Sequence, residues 1–460
     1  MGKAIGRKNY DRGYSITPFF HRGKKSVYDQ INWVTSDTKI SQEGIAVFEQ
    51  KGVEFPDFFS HVARKVVASK YFYGDKETNE REYSLKQVVQ RVVGKIGSEG
   101  RKQGYLTRKE QQVFESELAA ICSNQYAAFN SPVWFNVGKK TPESAKQHGK
   151  IGWIVSDSNQ KIAYETPYGP AYFDVKKGTI IPVPRGKEDE HPQTSACFIQ
   201  YVADTMEDIM RLAVSEAMLF KHGSGTGTDL STLRSSYEKL SGGGKPSGPL
   251  QYMKHYDRIA AVVKSGGKTR RAAKMQSLKV SHPDIMDFIV AKTLEEMKIN
   301  FLIEMGINSE EAKDTAAYQN TNLSVRVTDE FMEAVGKGLE WKTYPINNPE
   351  LAEKMPKYPA KDLFRAIAKG THACGDPGIQ YDTTINRWHT CHNSGRINAS
   401  NPCSEYMFID DSSCNLASLN LMKFRKKDRS FDFVKFGRVI DIMFLAQEML
   451  YDFSSFPEMK

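Results

Sequence analysis

The chain has 460 residues, 40% of them hydrophobic and 26% charged, which is an ordinary globular composition with room for two or three domains. No apolar run reaches transmembrane length, the N-terminus lacks a secretory h-region, and six cysteines in so long a chain do not form a disulfide framework, so the reading is a cytoplasmic protein without a membrane partner. An excess of 64 Lys and Arg over 55 Asp and Glu leaves +9, and because the basic residues are scattered, nucleotides are favoured over polynucleotides as anionic partners.

Taken in order, residues 1–60 read as an aromatic-rich arm over a larger body. Leu85, Val88, Val89, Val92, Val93 and Ile96 follow helical spacing, with Gly97 as the expected stop. A second helix is expected from about Thr107, with Val113, Phe114, Leu118 and Ile121 on one face. The stretch Asn130 to Asn136 breaks that register and reads as a loop entering a strand. Residues 139–192 contain short β-like runs separated by turn residues, an inserted β-rich meander.

Ser195 to Val202 reads as a buried strand, and Thr205-Met-Glu-Asp208 as a capping box opening a helix. A strand followed by a helix begins an α/β architecture. Three glycine-rich stretches follow, at 223–229, 241–248 and 265–271. None is a standard phosphate motif: Thr228 stands where the dinucleotide fingerprint needs glycine, and Val262 where a P-loop needs it. Their backbone N–H groups can still meet phosphate, and Lys268, Arg270 and Arg271 add charge to the third. Asn320 to Val327 reads as a strand with a helix from Thr328, and Gly375 to Gly378 as a turn. His372, Cys374, His389, Cys391 and His392 match no standard zinc spacing, so no metal is expected there. Phe433 to Phe453 reads as an amphipathic helix.

The densest chemistry lies in Asn401-Pro-Cys-Ser-Glu405. Asn401-Pro402 signals a turn, and Cys403 and Glu405 share parity, so an extended or loop-tip backbone would point both side chains one way. A thiol, a carboxylate and an amide converging on one spot suit catalysis; the bland alternative is a surface turn with an incidental cysteine.

With these stretches assembled, the chain resembles the large catalytic protein of ribonucleotide reductases, most nearly the adenosylcobalamin-dependent class II enzymes. The resemblance rests on Phe129 to Asn136, Thr194-Ser-Ala-Cys-Phe198, Gly223 to Gly227, Lys264 to Lys274, Asn401 to Glu405 and Ser413 to Asn420. It implies an α/β fold: a mostly helical N-terminal region (1–138), the first half of a ten-stranded barrel (193–400), and a finger loop with the first strand of the second half and a terminal helix (401–460); the β-rich insertion (139–192) is the part it does not place. It also implies roles. Cys403 would carry the thiyl radical that takes the ribose 3′ hydrogen, Glu405 would accept the 3′-hydroxyl proton, and Asn401 would orient the ribose. Cys197 and Cys414, far apart in sequence, would supply two electrons as a dithiol on neighbouring strands; for either alone, a buried core thiol is the commoner explanation.

Ser131, Ala196, Cys197, Gly227, Asn401 and Glu405 match substrate-contacting positions. Asp204, Lys245, Lys268, Arg270 and Arg271 would bind a deoxynucleotide effector such as dTTP. The implied cofactor is adenosylcobalamin, and the implied reductant an external dithiol such as thioredoxin. A homodimer through the effector-loop helices is expected, with diphosphate substrates. No ATP-cone is legible, and the stretch carrying the remaining strands is not seen, so a second chain completing the barrel is expected. A class I-type subunit with a separate radical-generating protein, and a non-catalytic nucleotide-binding regulatory fragment, stay open as alternatives.

Overall fold

The computed structural model describes residues 14–21, 26–42, 45–75, 80–139, 154–157, 160–163, 171–174, 177, 179–183, 189–263 and 273–456. Two compact units emerge, one of Met1–Ser195 with Asn415–Met459, the other of Ala196–Cys414.

The first unit opens with a long antiparallel hairpin, β1 (Trp33–Gln42) with β2 (Ile45–Pro56), in the stretch read as an arm. After helix His61–Lys70, Ser84 caps helix Leu85–Lys102 in a capping box with Gln87, and Thr107 does the same with Glu110 for helix Arg108–Ser123. The helical spacing buries Val88, Val92, Ile96, Phe114, Leu118 and Ile121 in one apolar core. Gly97 does not stop its helix. A Cβ there would meet Glu115 Oε1 at 2.3 Å, and one at Gly100 would meet Met449 Sδ at 2.0 Å, so these glycines admit close neighbours rather than end the element.

β3 (Ala127–Phe129) leads into helix Ser131–Asn136, which replaces the loop expected there; Asn130 accepts from Val133 N–H, and Pro132 sits in the first turn, where its missing N–H is harmless. The β-rich segment resolves into two antiparallel pairs, β4 (Ile154–Asp157) with β5 (Gln160–Ala163) and β6 (Ala171–Asp174) with β7 (Thr179–Pro182).

The second unit is a sheet backed by helices. Its strands in chain order are β8 (Cys197–Gln200), β9 (Gly225–Asp229), β10 (Lys274–Lys279), β11 (Asn322–Val327), a separate small pair of β12 (Glu340–Lys342) with β13 (Lys357–Pro359), and β14 (Gly378–Tyr381). A hairpin of β15 (Ala399–Ser400) and β16 (Met407–Phe408) precedes β17 (Ser412–Cys414). The six-stranded order is β14-β11-β10-β9-β8-β17; the first five are parallel and β17 runs antiparallel to β8.

Parallel neighbours need crossovers, and helices Met206–Lys221, Pro249–Val262, Ile285–Glu304 and Ala360–Cys374 lie in them. Among the described residues the sheet does not close, so the architecture observed is a mixed α/β sheet rather than a complete barrel. The stretch at 223–229, expected as a loop, is the buried strand β9. Thr205 caps helix Met206–Lys221, but Asp208 accepts from Ala203 N–H at 2.6 Å rather than closing a reciprocal box. The chain then re-enters the first unit, where β18 (Ala417–Leu419) pairs with β3 and helix Phe433–Phe453 packs Val439, Ile442 and Leu450 into that core.

Candidate active site

Side chains alternate between the faces of a strand, and the parallel register therefore sorts the sheet. Cys197 lies beside Gly225, Gly227 beside Ile199 and Met275, Ser277 beside Asp229 and Ser324, and Arg326 beside Gln380. These residues share one face. Cys414, opposite Cys197, joins them.

The β15–β16 hairpin lies against this face, and two glycines make the approach possible. A Cβ on Gly227 would stand 1.7 Å from the Ser400 carbonyl oxygen, and one on Gly225 would stand 2.6 Å from Pro402 Cγ. No larger residue fits at either position with the hairpin in place. Polar side chains then hold the hairpin down. Asn322 Nδ2 donates to the Pro402 carbonyl at 2.8 Å, and Gln380 Nε2 donates to Ser400 Oγ at 2.8 Å.

Asn401 sits fully buried at the base of the loop. Its backbone N–H donates to the Tyr406 carbonyl at 3.1 Å, while its Oδ1 accepts from Tyr406 N–H at 3.0 Å. The remaining amide group, Nδ2, faces Cys197 Sγ at 3.4 Å. Cys403 and Glu405 flank Ser404 at the tip, and both are exposed. Ser404 has φ +64°, so the tip is a turn.

Cys197 and Cys414 are directly opposite on adjacent strands, and both are buried. The hydrogen bond with Cys197 pushes the Cys414 thiol up most, burial adds to it, and the Cys197 and Glu405 charges push the same way. Cys414 therefore stays a protonated thiol at neutral pH. All six cysteines of the chain are thiols. The arrangement is an exposed thiol and carboxylate on a held turn, an anchored amide, and a buried dithiol within reach of that amide.

The other expected positions are distributed as follows. Ala196 donates its N–H to the Cys414 carbonyl at 2.9 Å and accepts from Gly225 N–H at 2.8 Å, so its backbone ties the three strands together. Ser131 belongs to the first unit, where its Oγ lies 2.9 Å from Tyr71 Oη. Asp204 follows β8, and its carboxylate accepts from the backbone N–H of Arg234 at 3.2 Å, from Arg234 Nε at 2.5 Å and from Asn347. Lys245 is exposed in the second glycine stretch, ahead of Gly248, which precedes helix Pro249–Val262. Lys268, Arg270 and Arg271 lie outside the described residues. The sequence reading missed Gly225, Asn322, Arg326 and Gln380. The alternation Asn322-Leu-Ser-Val-Arg-Val327 was the available signal, since a parallel strand covered on both faces usually reads as continuously apolar.

The family described as ribonucleotide reductase, barrel domain, matches residues 195–460, and that described as class II vitamin B12-dependent ribonucleotide reductase matches residues 34–125. A vitamin B12-dependent ribonucleotide reductase of Rhodopirellula baltica is 51% identical over 432 residues, covering 92% of this chain and 39% of its own length. One of Streptomyces avermitilis is 42% identical over 443 residues, covering 94% and 41%. A vitamin B12-dependent ribonucleoside-diphosphate reductase of Mycobacterium tuberculosis is 36% identical over 260 residues, covering 56% and 34%. The chain thus spans about two fifths of the length of the first two relatives. With the barrel-domain match covering more than half of it, the chain belongs to the class II, vitamin B12-dependent ribonucleotide reductase family.

Proposed function

We propose that this chain carries the catalytic residues of a reductase that converts ribonucleotides to 2′-deoxyribonucleotides. The observation that carries the proposal is the Cys197–Cys414 pair, buried and directly cross-strand, with the Asn401 amide on Cys197 Sγ. In the reaction, a Cys403 thiyl takes the C3′ hydrogen and Glu405 accepts the 3′-hydroxyl proton. The 2′-hydroxyl leaves as water, and Cys197 and Cys414 give up two electrons and two protons to become a disulfide. Cys403 then returns the hydrogen to C3′. Per turnover, one ribonucleotide and one dithiol give one deoxyribonucleotide, one disulfide and one water. An external dithiol such as thioredoxin resets the pair.

Adenosylcobalamin is the proposed radical source, and the donor set fits it in one respect: Cys403 is exposed, whereas the two reducing thiols are buried. When bound, the cobalamin supplies the oxidising equivalent that turns the Cys403 thiol into a thiyl. The name borne by the Mycobacterium tuberculosis relative supports diphosphate substrates. The open edges of the sheet, β14 and β17, support a ten-stranded barrel to which further strands are added, with the β15–β16 hairpin as its finger loop.

Met206, Met210 and Val214, exposed in one row of helix Met206–Lys221, support a homodimer through the effector-loop helices. A deoxynucleotide such as dTTP would bind near Asp204, Lys245, Lys268, Arg270 and Arg271, with Ser131, Ala196 and Gly227 contacting substrate. No helix among the described residues is long and apolar enough to cross a membrane, which suits a cytoplasmic enzyme.

The test is anaerobic reduction of a ribonucleoside diphosphate with adenosylcobalamin and a dithiol, with this chain and the polypeptide that completes the barrel. Deoxynucleotide that depends on cobalamin and on Cys403 is the expected result. No product in any combination, with effector still bound, would overturn the reading in favour of a regulatory role.

A further inference from the structure

The hairpin presents two hydroxyls, Ser400 and Ser404, to a single amide on the sheet. Gln380 Nε2 donates to Ser400 Oγ at 2.8 Å and to Ser404 Oγ at 3.2 Å. An amide that could turn over would offer oxygen there instead, but this one is fixed. Its Oε1 accepts from Arg326 Nη1 at 3.0 Å, and a guanidinium has donors only. Arg326 is fixed in turn. It is 1% exposed, its Nε and Nη2 donate to Asp382 Oδ1 at 3.0 and 2.5 Å, and Nη2 also donates to the Ile397 carbonyl at 2.9 Å. The donor direction is therefore fixed: Arg326 donates to Asp382 on one side and to Gln380 on the other, and Gln380 donates on to the two hydroxyls.

Both hydroxyl-bearing residues then converge on Asn401. Ser400 Oγ donates to the Asn401 carbonyl at 3.0 Å, and Ser404 N–H donates to the same oxygen at 3.2 Å. Ser404 holds φ +64°, a conformation that a residue with a Cβ keeps only when its surroundings impose it. The residues on either side of it are Cys403 and Glu405.

We infer that Gln380 is a positioning residue: through Ser400 and Ser404 it fixes the turn that carries Cys403 and Glu405. Its catalytic consequence rests on the function proposed above, but its effect on the turn does not. Gln380→Met removes all of its polar contacts. Ser404→Ala removes only the tip hydroxyl and leaves the Arg326 pairing intact. Gln380→Glu keeps an acceptor for Arg326 and offers another to the Ser404 hydroxyl, while the Ser400 proton stays on the Asn401 carbonyl.

Hydrogen exchange, read by mass spectrometry on peptides spanning 399–408, should show the Ser404 and Tyr406 amides exchanging about tenfold faster in Gln380→Met and Ser404→Ala, and near the wild-type rate in Gln380→Glu. In turnover assays with the completing polypeptide, kcat should fall on the order of 10- to 100-fold at nearly constant KM, as expected when reacting groups are misplaced rather than lost. The double variant should be no slower than the slower single, because both substitutions break one interaction. Wild-type exchange in Ser404→Ala, or additive losses in the double variant, would overturn the inference. If Gln380→Met fails to fold, Ser404→Ala and Gln380→Glu still decide it. If the wild type makes no deoxynucleotide at all, the proposed function falls while the exchange result still judges the positioning role.

Discussion

Along β11 the side chains alternate between two environments. Leu323, Val325 and Val327 are buried with Phe288, Ile285 and Leu363 of the neighbouring helices, where any well-fitting apolar set would serve. Asn322, Ser324 and Arg326 point to the other face, the one that carries the hairpin, where Asn322 donates to the Pro402 carbonyl and Arg326 to the Ile397 carbonyl. The helix-covered face also buries polar groups, among them the fully buried Lys274–Glu216 ion pair between β10 and helix Met206–Lys221, with Tyr256 over the ammonium. Burial alone therefore does not separate the faces. What separates them is that the hairpin face spends its polar groups on holding a second piece of backbone, whereas the helix face uses its ion pair to join two elements of the core.

Substitutions on the two faces should fail in different ways. Cys403→Ala, at an exposed tip, should abolish turnover while shifting unfolding by no more than about 0.5 kcal/mol, measured by denaturant titration beside the activity assay. Gly227→Ala should lower kcat on the order of 10²-fold by lifting the hairpin, with about 1–3 kcal/mol of destabilisation; wild-type kcat would mean that the close approach to Ser400 is not needed for chemistry. On the helix face the balance should reverse. Lys274→Met leaves Glu216 buried and uncompensated and should cost about 3–5 kcal/mol, most of it recovered in Lys274→Met/Glu216→Leu, with kcat of the folded fraction changed only a few-fold. If the single and double variants melt alike, the pair is not coupled.

The smallest expected effect concerns Asp410, which accepts from Asn398 Nδ2 at 2.8 Å. Burial pushes its carboxyl up to about 6, and the Asp229 and Asp411 charges add to that. A folded-state pKa above the unfolded value means that the folded protein binds the proton more tightly. That stabilisation is complete below about pH 4 and is lost as pH rises through about 6. Asp410→Asn should therefore be the more stable protein above pH 6 and lose that advantage towards pH 4, as seen in melting temperatures across that range. A constant difference would show that the carboxyl does not titrate with folding.

Much of the helical framework was legible because apolar spacing and capping residues carry it. The helix from Thr107, and the buried row from Val88 to Ile96, form as that spacing implies. The cysteine pair was legible through resemblance and strand-like surroundings, and β8 and β17 set the two thiols side by side. Two of the misreadings, at 97 and at 223–229, share one cause, in that glycine was taken as punctuation. Gly97 and Gly100 lie inside a helix, and Gly225 and Gly227 inside a strand, because a neighbouring chain approaches too closely for a side chain. Such approaches are tertiary facts that local propensity does not encode. The roles of Gln380 and Arg326 were hidden for the same reason, since their partners lie on other strands and on the hairpin.

The most direct test of the account is to map thiols after a single anaerobic turnover without external reductant, by alkylation and peptide mass spectrometry. The account predicts one Cys197–Cys414 disulfide per deoxynucleotide formed, an intact Cys403 thiol, and neither product nor disulfide in Cys403→Ala. Deoxynucleotide formed with Cys197 and Cys414 both still alkylatable would contradict it.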